Sequence, residues 1–154
     1  MKCLRKLWML ATVFSMASCG DGEVHAAEPV VDTAHRLSIE VGPQTITAVL
    51  YDNPTARDFI SRLPLTADLS DYDGTEKVFT PSPGLTTQGS PAGLNPKTGD
   101  IALYAPWGNI AIYYKNGTSS NSLIPIGRIE SGANTLNVPG TIRSVRFGLI
   151  RTEE

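Results

Sequence analysis

The sequence predicts a mostly β domain folded as a closed antiparallel barrel with one short helix. Three observations carry this reading. Seven or eight segments alternate polar and apolar residues with a period of two, and Gly, Pro, Asn or Asp turns separate them. A single segment has a clear helix start. No strand-helix unit recurs, which argues against a parallel α/β sheet. A chain of 154 residues suits one hydrophobic core, and 41% apolar with 18% charged residues is the composition of an ordinary globule.

The N-terminal segment is read as an export signal. Lys2, Arg5 and Lys6 precede the uncharged run Leu7–Ala17, the basic and apolar regions of a signal peptide. Eleven residues are well short of the ~20 that span a bilayer as a helix. Two processing rules compete here. Met16-Ala17-Ser18-Cys19 has the form of a lipobox, with Met16 where Leu is usual; Cys19 would then be lipidated and anchor the protein to the membrane. Val24-His25-Ala26 before Ala27 suits an ordinary signal peptidase instead. The expected organisation is a signal peptide at 1–18, a polar tether at 19–33 and a barrel domain at 34–154. The expected location is the bacterial cell envelope, as an outer-membrane lipoprotein facing the periplasm, or a soluble periplasmic or secreted form if the cut follows Ala26.

The elements follow in order. Leu37, Ile39 and Val41 alternate with polar residues, Gly42-Pro43 turns the chain, and Thr45–Tyr51 returns as the second strand of a hairpin. Asn53 is a helix cap with Pro54 at the first helical position, where its missing N–H costs nothing. Ala56, Phe59, Ile60 and Leu63 mark the buried side of that helix, and Pro64 ends it. Leu65, Ala67 and Leu69 alternate again, Asp71–Gly74 reads as a turn, and Glu76–Phe79 as a short strand. Thr80–Thr98, with four prolines and three glycines, is read as a long ordered loop. Ile101–Tyr104 and Asn109–Tyr114 form a hairpin about Pro106-Trp107-Gly108, apolar nearly throughout and so expected to be central. Leu123–Ile129 contains Pro125, which argues for an edge or a bulge. Glu130–Gly140 is a loop with room for a helical turn. In Thr141–Ile150 the alternation slips, and a bulge near Ser144 accounts for it.

Several segments in sequence resemble a known family. Ile46–Phe59, with its Asn53-Pro54-Thr55-Ala56 core, is similar to the opening of a cyclophilin. Phe59–Thr66, Asp71–Lys77, Gly99–Tyr114 and Ile126–Ile129 resemble a narrower group, the bacterial and archaeal cyclophilin-like domains. The likeness extends over residues 35 to 150 and implies an eight-stranded barrel whose end is capped by the helix. Cyclophilins carry a Phe-His-Arg segment after the first helix, its Arg being catalytic. The corresponding stretch, Leu65–Phe79, has neither His nor Arg. The resemblance thus implies the fold without the usual isomerase machinery.

The candidate site residues are few. Glu76, Lys77 and Arg62 are the catalytic candidates: a carboxylate for acid-base work and two cations for the electrophilic assistance that prolyl isomerisation needs. Each has a structural reading beside it, Glu76 as a tie to nearby backbone and Lys77 with Glu76 as a surface pair. Tyr72, Trp107, Asn109 and Tyr113 are the ligand-binding candidates, aromatic walls with one amide able to donate and accept. No metal and no cofactor is expected, because residues 34–154 contain no cysteine and a single histidine, His35. Loss of the signal leaves ten basic groups against 15 acidic ones, which argues against nucleic acid as a partner. The expected function is binding of a peptide or small apolar ligand; the alternative is a divergent periplasmic peptidyl-prolyl isomerase using Lys77 or Arg62.

Overall fold

The computed structural model describes residues 35–151; the expected signal segment, the tether and Cys19 lie outside them. Eight strands are present: β1 (His35–Val41), β2 (Gln44–Leu50), β3 (Leu65–Tyr72), β4 (Glu76–Phe79), β5 (Asp100–Tyr104), β6 (Asn109–Tyr113), β7 (Leu123–Ser131) and β8 (Ile142–Ile150). They close in the order β1-β2-β7-β5-β6-β4-β3-β8, every pair antiparallel and β8 returning to β1. Closure removes every free sheet edge. The inward residues of each alternating pattern, among them Leu37, Ile39, Ile46, Ile101, Leu103, Ile110 and Ile112, make a single core.

The helix α1 (Pro54–Ser61) caps one end. Asn53 holds extended backbone and its Oδ1 accepts from the Ala56 N–H at 2.9 Å, while its Nδ2 donates to the Pro125 carbonyl at 2.9 Å. One side chain therefore both starts the helix and ties it to β7. Phe59 is buried beneath the helix, edge-on to Phe147 at 6.2 Å, and Phe147 lies 5.0 Å from Phe79. At eight residues, a little over two turns, α1 depends on this packing rather than on its own propensity.

Both expected irregularities have a physical cause. Ile101 faces Gly127 and Ala102 faces Pro125, so Ile126 is an extra residue in β7; with no free edge in the barrel, Pro125 sits at a bulge. Gly127 beside it is required by close approach, since a Cβ there would stand 2.6 Å from the Val49 carbonyl oxygen. In β8, Arg143 and Ser144 lie opposite Asp68 alone, and Ser144 takes φ 55°. The Asp68 carboxylate accepts from the Ser144 N–H at 2.8 Å and satisfies the donor that the bulge takes out of the ladder.

Two boundaries differ from expectation. Strand β3 runs on to Tyr72, because Asp71 and Tyr72 pair with Lys77 and Glu76 and the turn shrinks to Asp73–Thr75, with positive φ at Asp73 and Gly74. Strand β7 continues to Ser131, and a 3₁₀ turn at Ala133–Leu136 occupies the following loop. The long Thr80–Thr98 loop is held over the barrel by a Leu94–Ser120 bridge and by the Gly93 N–H on the Leu123 carbonyl at 2.8 Å.

Candidate functional site

Alternation decides which side of the wall each residue faces, and on β4 it separates the two adjacent catalytic candidates. Lys77 and Phe79 point into the barrel. Glu76 and Val78 point outward, opposite Tyr113 and Ala111 of β6. Across the next pair, Ala111 faces Ala102 and Asn109 faces Tyr104. The outer wall of β4, β6 and β5 thus has small residues at its centre and large aromatic ones around them. That contrast of volume is a hollow.

The hollow has a volume of about 570 Å³ and lies outside the barrel. Val78 and Ala111 form its floor. Tyr113 and Tyr104 wall two sides, and the turn between β5 and β6 brings Trp107 to the mouth. The Trp107 ring stands edge-on to Tyr72 at 5.8 Å and to Tyr104 at 5.3 Å, and is 62% exposed. Gly108 at φ 67° makes that turn possible, with its N–H bonded to the Tyr104 carbonyl at 2.9 Å. On the opposite side Gly117 lies against Tyr113 so closely that a Cβ would come within 2.4 Å of the ring.

The polar lining combines hydroxyls with the Asp73 and Glu76 carboxylates and the Asn109 amide, and holds no cationic side chain. Glu76 is buried and its carboxylate accepts from the Thr75 hydroxyl. Burial pushes its pKa above the ordinary carboxylate value, and the negative charges of Asp73 and Asp71 add to the rise. Burial also raises the Tyr113 phenol, assisted by Glu76 and Asp100. Asn109 is 9% exposed, and its buried Oδ1 has no hydrogen-bond partner among the described residues. Glu76, Tyr72, Trp107, Asn109 and Tyr113 line this one cavity together.

The two cationic candidates are elsewhere. Lys77 is fully buried inside the barrel, where its Nζ donates to Asp71 at 2.9 Å, to the Val138 carbonyl at 2.5 Å and to the Gly140 carbonyl at 2.7 Å. The reading of Glu76 and Lys77 as a surface pair is therefore corrected, since neighbours on a strand face opposite ways. Arg62 follows α1, paired with Asp58 at 3.1 Å and donating to the carbonyls of Pro83 and Gly84. It borders a second groove of about 500 Å³, with Leu65, Phe79 and Pro81–Pro83. Neither cation lines the aromatic cavity. Among the described residues no three His, Cys, Asp or Glu side chains gather as a metal site.

Comparison with known proteins now adds a family. The sequence pattern of the cyclophilin-like family matches residues 39–146. The chain belongs to the cyclophilin-like family. A solution structure of a hypothetical protein from Archaeoglobus fulgidus superposes with a TM-score of 0.60 at 19% identity, over 75% of this chain and 94% of that one, a likeness of fold. No curated protein matches the chain.

Within this cyclophilin-like barrel, several family-like segments serve as scaffold. Asp100 and Arg128, from the Gly99-Asp100 and Ile126-Gly127-Arg128 segments, face each other across β5 and β7 and pair at 2.6 Å. Asp58 accepts from the Thr86 N–H at 2.7 Å, the bond chiefly responsible for holding its carboxyl below the usual range. Sequence reasoning missed Tyr104 and Asp73, which also border the cavity. Tyr104 was legible: Ile101 and Leu103 point inward, so Tyr104 must share the outer face with Ala102. Asp73 reads as turn material, and its place beside Glu76 depends on where the three-residue turn folds.

Proposed function

We propose that this cyclophilin-like domain is an exported ligand- or peptide-binding module that works without prolyl isomerase chemistry. One observation carries the reading: the hollow on the outer wall of β4, β6 and β5 has aromatic walls and buried acceptors, with no Lys, Arg or His among its lining residues. Isomerisation of an X-Pro bond has a barrier of about 18–20 kcal/mol and is eased by a strong donor near the prolyl nitrogen. Lys77 and Arg62, the cations suited to that role, are engaged by carboxylates and carbonyls away from the hollow. An aromatic concavity of this volume with a few fixed polar groups is instead the usual form of a small-molecule or peptide-segment site.

The test has two arms. A library of extended peptides titrated into the protein should give saturable shifts of the Trp107 indole resonance, and exchange spectroscopy on Ala-Pro and Phe-Pro peptides should show the uncatalysed rate. Acceleration at high protein concentration would replace this reading with the isomerase one. A Trp107→Ala protein that binds a verified ligand as tightly as wild type would remove Trp107 from the site.

Placement in the bacterial envelope through lipidated Cys19 is part of the same proposal. Its support is the basic start, the apolar Leu7–Ala17 run and the lipobox form ending at Cys19. Intact-mass measurement of the membrane fraction should show acyl chains on Cys19; an unmodified chain beginning at Ala27 contradicts it.

A further inference from the structure

Of the nine side-chain carboxylates among the described residues, Glu40 and Asp73 are exposed and unpaired, and the other seven divide into two groups. Asp52, Asp58, Asp68, Asp71, Asp100 and Glu130 each have an Arg or Lys partner. Glu76 is buried, and its hydrogen-bonding neighbour is a neutral hydroxyl. A buried carboxylate without a cation is costly, and so is a buried amide oxygen without a donor. Glu76 and Asn109 meet both descriptions and line the same cavity. Asp73 adds negative charge at the rim.

The walls fit the same kind of guest. Trp107, Tyr72 and Tyr104 meet edge-to-face, so their rings are turned to one another at nearly right angles instead of stacking on each other. The face of an indole or phenol ring is negative and attracts an ammonium or guanidinium group, most strongly where water is partly excluded. Burial works against the charged form of Glu76, and an incoming cation would offset that cost by pairing with it.

From this arrangement we infer that the cavity selects an organic cation, an ammonium or guanidinium group on an apolar stem, held against the Trp107–Tyr72–Tyr104 aromatic cluster and paired with Glu76. The inference rests on the reading of this hollow as the ligand site and names the chemistry of its ligand. An ammonium offers three donors and a guanidinium five, enough to meet the Glu76 carboxylate and, after a soft rotation about its χ2 bond, the Asn109 oxygen. A cavity of about 570 Å³ accommodates a Lys or Arg side chain with adjoining backbone. The acidic balance of the residues after the signal segment favours such a partner at long range.

The experiment uses the full chain and four probes: N-acetyl-lysine methylamide, its arginine counterpart, the neutral isostere N-acetyl-norleucine methylamide, and free butylammonium. Nuclear magnetic resonance titration should show the lysine and arginine probes binding about tenfold or more tightly than the norleucine probe, the order expected of a desolvated ion pair with cation–π contact. Their affinity should rise with pH through the titration of Glu76, above the ordinary carboxylate range, while that of the norleucine probe stays flat. Glu76→Gln should remove the tenfold advantage of the lysine and arginine probes over the norleucine probe. Butylammonium binding as tightly as the lysine probe assigns the ligand to free cations, and weaker binding assigns it to peptide side chains; either supports the inference. Equal binding of lysine and norleucine probes to the wild-type chain overturns the cation selectivity and leaves the ligand site standing. Failure of every probe and of the peptide library to move Trp107 overturns both.

Discussion

The Lys77 ammonium draws together β3 and the loop before β8 from inside the barrel. Asp71 receives it, and the Tyr114 hydroxyl also donates to Asp71 at 2.6 Å, a bond that does most to lower the Asp71 pKa; burial, and after it this bond, pushes Tyr114 up to about 12. Lys77→Met would fill the space but take the charged donor from Asp71, which keeps Tyr114, and from the Val138 and Gly140 carbonyls. The expected cost is about 3–5 kcal/mol, seen as a lower denaturant midpoint at unchanged slope. The pH signs of the two carboxylates are opposite. Asp71 has a lowered folded pKa, so its stabilisation is present above the unfolded value near ~3.9 and is lost as pH falls through the folded one. Glu76 has a raised pKa and costs stability at neutral pH, a cost relieved as pH falls towards and below the folded value. Glu76→Gln should therefore leave stability at pH 7 unchanged or higher in thermal denaturation, whereas a clear loss would mark Glu76 as structural. The opposite facing of Glu76 and Lys77 was legible from strand period alone; the partners of Lys77 were not, since Val138 and Gly140 are some sixty residues away.

Among the elements, the β5–β6 hairpin explains why the site lies outside the barrel. Both of its faces are covered: Ile101, Leu103, Ile110 and Ile112 on the core, Ala102, Ala111 and Tyr113 in a second apolar cluster with Leu123. Its nearly continuous apolar sequence correctly signals a central pair, yet leaves open what covers the outer face. The cover comes from loops, which have no period to read. Gly117 is the contact that sets the Tyr113 ring, and Gly117→Ala would force the ring to move. We expect a loss of about 1–3 kcal/mol in stability together with weaker probe binding, because Tyr113 walls the cavity. Unchanged binding in a folded Gly117→Ala protein would separate that wall from the ligand. The bulges were legible in part: the phase slip at Ser144 and the proline at 125 each mark one, but the Asp68 and Asn53 bonds that satisfy them depend on tertiary position.

For the whole molecule, closure of the barrel turns alternation into a division of labour. Inward residues supply stability, and the outer wall at β4, β6 and β5 carries the proposed recognition surface. Much of what looks characteristic of the family, such as the Asn53 cap, the Asp58 loop tie, the Gly127 crossing and the Asp100–Arg128 pair, holds this frame. That is why the fold was readable from the chain while the site was only partly so: motifs for a frame recur in order, whereas a cavity is made by side-chain sizes on strands distant in sequence. The claim that recognition belongs to the Glu76–Asn109–Trp107 wall is tested most directly by mapping amide resonances while a lysine-bearing peptide is titrated. Shifts concentrated at Tyr72–Val78, Tyr104–Ala111 and Tyr113 are the predicted result. Shifts centred on Arg62 and Pro81–Pro83, with the outer wall silent, would contradict it.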